Sequence, residues 1–464
     1  MTEILILTPS KASPLGSPFK RKLTPSPESF PSNKRVILSP EPLSHAHPAT
    51  VNSVVVPPLC RHIVMPFDLS KDKKGFSNPN LNILLNLFPH LISVSFDGYS
   101  LVFLFSTLPP KPWPKTIAGA LPYFTTDSNN NGPLSPFLNR QSKQPKLHLY
   151  SERDANDLLP QEIDEFLELV SSAFGKLDIA VTEIQYWEHF FVVVLEDRNT
   201  DLKNVPCQFA KCLCFYLFEW EIHRPDINSY SARRMKEPRD TVKDDSTYEI
   251  LRPGIMVSSG WLNESGAELL TSSGTLIRDC TGEVYMTIAS HGFPNGGKVF
   301  HPSANGRQIG KIIKKFDHTD VALVQLDDTE TFTNETFESP VDDVPATKLQ
   351  DFLPFTEPFM AQLVYMNNPF TGYSRGMVGA YSITRIPSDA QNATDMRWIK
   401  TRWFYLGQDF VKELVDGLYG SVIWDADGKV LGFFNFAITQ GALMNWGCFV
   451  ASDEVAEQGY CISP

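Results

Sequence analysis

The sequence predicts a mixed architecture: a disordered N-terminal tail, an α+β domain, and a C-terminal all-β domain built as a double antiparallel β-barrel. Three observations predict it. From Leu251 onward, short apolar runs alternate with turn pairs. Over residues 60–223, helix-period and strand-period segments follow one another. Residues 1–58 are rich in Pro and Ser and poor in periodic apolar residues, so they bury too little surface to offset their ordering entropy.

Composition bounds the answer. A chain of 464 residues predicts two or three domains, and 42% hydrophobic with 12% aromatic residues supplies real cores. The net charge of −12 argues against a general nucleic-acid binder, so no nucleic-acid partner is expected. Seven cysteines, an odd and irregularly spaced set, predict reduced thiols and an intracellular protein, cytoplasmic or nuclear. Ile4-Leu5-Ile6-Leu7 is too short for a signal-peptide core, and no apolar run reaches membrane-spanning length, so no membrane partner is expected.

The tail carries six Ser-Pro or Thr-Pro pairs, among them Ser17-Pro18-Phe19-Lys20, the form favoured by proline-directed kinases. Phosphate there would add negative charge beside Lys20, Arg21 and Lys22. Lys20-Arg21-Lys22 followed by Lys34-Arg35 reads either as a two-part nuclear import signal or as a solvated basic linker.

In the α+β region, Asn80–Phe88 reads as a helix ended near Pro89, and Ile92–Phe105 as two strands around Asp97-Gly98. Gln161–Phe174 is a clearer helix, with Ile163, Phe166, Leu167, Val170 and Phe174 at three- and four-residue spacing. Asp178–Glu196 again reads as two strands, the second central, and Cys207–Glu219 as a helix. Tyr99–Phe105 corresponds to His189–Leu195, which suggests a duplicated unit. Cys207, Cys212, Cys214 and His223 lack zinc-knuckle spacing and have apolar neighbours, so they read as core thiols, with no metal and no cofactor expected. The default role of this region is protein interaction or regulation. Residues 224–250 are a charged linker containing Arg233-Arg234-Met235-Lys236.

Residues 251–464 hold about ten strand-like runs, enough for two barrels. They are Ile255–Ser259, Gly274–Arg278, Val284–Ala289, Gln308–Phe316 and Val321–Gln325, then Met360–Val364, Gly376–Thr384, Trp398–Leu406, Gly420–Trp424 and Val430–Phe436. Asp453–Gln458 closes the chain as a short helix, capped by Ser452 or Asp453.

Three stretches of this domain carry chemistry. His291 follows a strand, Asp320 opens one, with Asp317 as a nearby rival, and Gly417-Leu418-Tyr419-Gly420-Ser421 feeds another. That order is His, Asp, then a nucleophile turn. Ser273-Gly274-Thr275-Leu276-Ile277 resembles an "SGTLI" strand, Ala289-Ser290-His291 resembles "AAH", and Asp320-Val321-Ala322-Leu323 resembles "DIAL". Gly417–Ser421 stands where "GDSGS" or "GxCGS" would be. On these motifs residues 251–464 resemble a trypsin-like, chymotrypsin-fold protease domain of the PA clan, of a kind found in intracellular fungal proteins.

The resemblance implies roles. His291 would be the general base, and Asp320 would orient its ring. The backbone N–H groups of Gly417 and Tyr419 would form the oxyanion site. Tyr419 occupies the nucleophile position. A phenol there is bulky and projects where a scissile carbonyl must sit, and Ser421 would lie under the turn. Glu413 would stand near the pocket floor and favour Lys or Arg, or else is a surface residue beside Lys412. Phe434-Asn435 would belong to the strand that pairs with extended substrate. Three readings follow: a pseudoprotease that binds peptides or protein partners, an active endopeptidase with a non-standard nucleophile, or a scaffold regulated through its phosphorylated tail.

Overall fold

The computed structural model describes residues 62–128, 155–224 and 244–464 and the short pieces 5–6, 36–37 and 148–150; it leaves out 70, 97–99, 111–112, 115, 127, 156–157, 188–189, 263–267, 294–296, 340–343, 358–361, 389–394, 406–416, 439 and 442. The kinase motifs and basic clusters of the tail, and most of the 224–250 linker, lie outside the described residues. Two compact units result: residues 13–135 with 338–345, and residues 1–12, 136–337 and 346–464.

In the first unit, α1 (Asn78–Leu85) starts with Pro79 in its first turn, where a missing N–H costs nothing, and buries Leu81 and Leu84. Strands β1 (Leu91–Phe96) and β2 (Ser100–Phe105) pair antiparallel, and β3 (Leu121–Thr125) joins β2 in parallel. The core is aromatic. Phe103, Phe105 and Phe124 meet Phe88 with centroids 5.5–5.8 Å apart, in edge-on arrangements that suit the ring quadrupoles.

The second unit opens with the same order. Helix α2 (Ile163–Lys176) buries the five residues whose spacing predicted it. Strands β4 (Val181–Tyr186) and β5 (Phe190–Leu195) pair antiparallel, and β6 (Cys212–Phe218) joins β5 in parallel. A helix, a hairpin and a parallel third strand thus recur in both halves of 62–224. The helix expected over Cys207–Glu219 is not there: its centre is β6, and only Glu219–Ile222 is helical. Cys212, Cys214 and Tyr216 alternate onto the buried face, a period of two that three close cysteines and aromatics had obscured. Burial pushes the thiols of Cys214 and Cys448 up. Among the described cysteines, exposed Cys280 and Cys461 should react with Ellman's reagent within minutes, while Cys212, Cys214 and Cys448 should react only on unfolding. Rapid loss of more than two thiols from this set in the native protein would contradict that burial.

Two six-stranded barrels follow. The first comprises β7 (Met256–Leu262), β8 (Glu268–Arg278), β9 (Val284–Ala289), β10 (Lys298–His301), β11 (Arg307–Phe316) and β12 (Val321–Leu326). Their order is β7-β10-β11-β12-β9-β8, and the β7–β8 pairing closes the ring. The second comprises β13 (Leu363–Asn368), β14 (Gly372–Pro387), β15 (Met396–Tyr405), β16 (Val422–Trp424), β17 (Lys429–Ala437) and β18 (Trp446–Ala451). Their order is β14-β13-β16-β17-β18-β15, closed by β14–β15. Lys298–His301 and Trp446–Ala451 are the two barrel strands the sequence reading did not anticipate.

Each barrel needs an apolar interior, and a third cluster joins the two. Val257, Met286, Ile288, Val299, Ile309 and Val324 fill the first barrel. Ile277, Phe316 and Leu323 of the first pack with Val422, Trp424 and Phe433 of the second. At roughly 1.5–3 kcal/mol for each large side chain buried, this shared cluster fixes one barrel on the other. Helix α3 (Asp453–Ala456) follows, with Ser452 before it; the Ser452 hydroxyl donates to the Leu353 carbonyl rather than to the helix.

The α+β layer does not stop at the second barrel. Strand β14 runs for 16 residues, and Tyr381–Thr384 pair with Tyr186–Glu183 of β4. The sequence reading treats 60–223 as a region by itself; the structure continues the β4–β6 sheet into the barrel. An apolar strand pattern does not say which neighbour it pairs with.

Candidate active site

The site begins with register. Strands β9 and β12 are antiparallel neighbours, and Ala289 stands opposite Val321. The residues just beyond β9 and just before β12 are therefore brought together, although they are far apart in sequence. Past Ala289 the chain makes one 3-10 turn, Ser290–Gly292, which carries His291. Its start is pinned by the Ser290 N–H donating to the Asp320 carbonyl at 2.8 Å.

Asp320 uses both carboxylate oxygens on His291. Oδ1 accepts from the His291 backbone N–H at 2.8 Å, and Oδ2 lies 2.6 Å from the ring Nδ1. A carboxylate only accepts, so Nδ1 carries the proton. That fixes the ring's tautomer and turns Nε2 away from Asp320. Asp320 itself has φ of +58°, in the left-handed region that Asp tolerates better than most residues. The Lys315 ammonium donates to the Phe293 carbonyl at 3.0 Å and steadies the chain just past His291.

Asp317, the rival in the sequence, faces another histidine. Its Oδ2 lies 3.5 Å from His318 Nε2 and accepts from the Ser388 hydroxyl at 2.9 Å. His318 sits inside a motif that drew attention only for Asp320.

The second barrel supplies the turn before β16. Gly417 and Gly420 have φ of +105° and +81°. A side chain at Gly420 would also strike backbone, its Cβ falling 2.6 Å from the Ala289 nitrogen. At Gly417 a Cβ would fall 2.5 Å from the Phe370 ring. Only glycine fits either place. The turn is tied to both barrels: the Gly420 N–H donates to the Phe434 carbonyl at 3.1 Å, the Phe434 N–H to the Ser421 carbonyl at 2.8 Å, and the Ser272 N–H to the Tyr419 carbonyl at 3.4 Å.

These bonds deliver Tyr419 to His291. The two rings stand nearly perpendicular, at 87°, with centroids 4.5 Å apart. The Phe434 ring also packs against Tyr419, with centroids 6.1 Å apart. All three side chains are buried: His291 is 4%, Tyr419 7% and Phe434 4% exposed. Phe434 also packs edge-on to Phe404 of β15. Asn435, next along β17, is buried as well. Ser421 is fully buried, and its hydroxyl has no hydrogen-bond partner among the described residues. Glu413 lies outside the described residues.

The structure therefore brings His291, Asp320, Tyr419, Gly417 and Phe434 to one seam between the barrels. An imidazole with an oriented carboxylate can take and return a proton. What stands beside it is an aromatic ring, in a packed position.

No family model matches the chain, and no curated relative does. Solved structures do. Nocardiopsis protease is similar at 14% identity, over 46% of this chain and 99% of that one, with a TM-score of 0.33. A glutamic acid-specific serine protease, described as using a histidine triad in substrate binding, aligns at 12% identity over 46% and 100% of the two chains, TM-score 0.35. Thermobifida fusca protease A aligns at 11% identity over 46% and 100%, TM-score 0.34. These likenesses concern fold only. The closed six-stranded barrels and their strand order carry the architecture of 251–464.

Proposed function

We propose that the chain is a trypsin-fold pseudoprotease, which keeps the His–Asp pair and the glycine turn and uses the domain to bind a peptide or protein partner. The observation that carries this is the Tyr419 ring packed 4.5 Å from the His291 ring. A serine or cysteine nucleophile works because it is small and within reach of the base. Tyr419 is not small, and it is 7% exposed and packed against the rings of His291 and Phe434. Ser421 does not substitute, because it is sealed beneath the turn.

In this reading His291 and Asp320 are retained for packing and hydrogen bonding. Binding falls to the neighbouring strand. Strand β17 pairs with β16 as far as Phe433, and the Phe434 backbone bonds Gly420 and Ser421. Beyond that point, among the described residues, its ladder continues on the β18 side alone. An extended segment would add to the other edge by backbone hydrogen bonds, with Phe434 and Asn435 at the start of that edge.

The test uses the full chain, because the barrel shares a sheet with residues upstream of 251. Incubated with a fluorophosphonate probe and a mixed peptide library, the protein should label and cleave at background. Turnover that disappears in His291→Ala would sink the reading and favour an unconventional nucleophile.

A further inference from the structure

We propose that Asp317, His318 and Asp395 form a divalent transition-metal site of the zinc type, which clamps the Asp320 turn to the second barrel. The site lies across the seam. Asp317 and His318 stand on the turn between β11 and β12, and Asp395 immediately precedes β15. One ligand atom from each residue lies within 4.8 Å of the other two.

The chemistry of His318 carries the argument. Its Nδ1 lies 2.8 Å from the Ile386 backbone carbonyl. A carbonyl only accepts, so Nδ1 holds a proton and donates it. The Nε2 atom then points at two carboxylate oxygens, Asp317 Oδ2 and Asp395 Oδ2, each at 3.5 Å. With Nδ1 protonated, a neutral ring would turn a lone pair toward two anions. A cation standing between them would accept all three lone pairs at once. His318 is 6% exposed, while the two carboxylates open to solvent, from which a metal ion would enter.

Three further features favour the cation. Metal-binding histidines as a rule donate their other ring N–H to a carbonyl or carboxylate, as His318 does to Ile386. The Asp317 carboxylate is held in turn by the Ser388 hydroxyl at 2.9 Å, so the ligand's own orientation is fixed. The spacing also fits. Four ligands about 2.0–2.1 Å from a zinc ion stand about 3.3–3.4 Å from one another, close to the 3.5 Å seen here. Calcium and magnesium instead collect six or more oxygens, whereas four-coordination by one imidazole, two carboxylates and a water suits zinc or its substitute cobalt.

A metal there would join two elements that otherwise meet through side chains. The 317–320 turn has positive φ at His318 and at Asp320, +68° and +58°. It presents to His291 the carboxylate that orients its ring. The other end of the clamp is the β14–β15 hairpin, through the Ile386 carbonyl, Ser388 and Asp395. The site is therefore a positioning device for Asp320, independent of whether any nucleophile is present.

The experiment uses the full chain, stripped with EDTA and kept reduced. Zinc is titrated by calorimetry, and cobalt(II) by its visible absorption. The expected result is one saturable site with the intense bands of four-coordinate cobalt and a rise in Tm on adding zinc. Asp395→Asn, a change at an exposed carboxylate, should weaken binding at least about tenfold, the loss that follows removal of even an outer-shell partner. His318→Gln should abolish the cobalt bands, and Asp328→Asn, at an exposed carboxylate elsewhere, should leave them intact. Zinc binding unchanged in Asp395→Asn, or no saturable site in the stripped protein, would overturn the proposal.

Discussion

Replacing Tyr419 by serine or cysteine should make the site react with serine- and thiol-directed probes. The His291 ring already has its tautomer fixed by Asp320, and the glycine turn is held by Phe434 and Ser272. Removing the phenol leaves Oγ or Sγ on the same Cβ, next to the base. In sites of this kind a positioned base contributes about 10²–10⁴-fold to rate, and loss of the nucleophile or the base alone costs far more. Tyr419→Ser should therefore label with a fluorophosphonate, and Tyr419→Cys should be alkylated at least about a hundredfold faster than a thiol lacking a base. Both gains should vanish when His291→Ala is added. Silence in both variants, with the fold intact by circular dichroism, would show that the turn does not present a working oxyanion site.

The second large effect is on stability. Glu183 of β4 is fully buried and is met from three sides. Arg224 pairs with one carboxylate oxygen, and the Ser382 hydroxyl, at 2.6 Å, and the Trp403 indole N–H donate to the other. Burial works against the Arg224 charge, but the Glu183 and Glu219 carboxylates outweigh it and raise its pKa. Glu183→Ala would leave Arg224 with Glu219 as its remaining carboxylate, at 3.0 Å, and would leave two buried donors unpaired. Removing one partner of a buried pair costs about 3–5 kcal/mol. Urea unfolding should show that loss as a lower midpoint with an unchanged slope. Glu183→Gln, which keeps an acceptor for Ser382 and Trp403, should lose less. A loss below about 1 kcal/mol in Glu183→Ala would mean that solvent enters the network.

Much of this was legible in the sequence because most barrel strands are apolar runs set off by turns that carry Gly. His291 and Asp320 could be singled out because each abuts an apolar strand whose ends meet in register. Other features were not legible. Lys298–His301 is a four-residue strand, too short for a period of two to declare itself. Trp446–Ala451 is buried at every position, so it has no alternation to read. The Cys212–Phe218 strand was hidden by the half-buried apolar residues Leu213 and Phe215 between its inward residues. Asp317 was weighed against Asp320 because both precede the same strand, and only the fold separates them, giving one to His291 and the other to His318. Asp395 lies in a different hairpin, and nothing in its flanks marks it as a partner of either.

The glycine turn has a consequence for how this site can change over generations. Gly417 and Gly420 are fixed by a ring and by backbone, and a Cβ on Gly274 would collide with Thr287 and crowd the Gly420 carbonyl. Tyr419 is under no such constraint from its backbone. Tyrosine codons differ from serine and cysteine codons by a single base. The scaffold that is hard to mutate is intact, and the position that decides the chemistry is one substitution from either nucleophile. Descendants of this chain could cross between binding and cutting without passing through a broken fold.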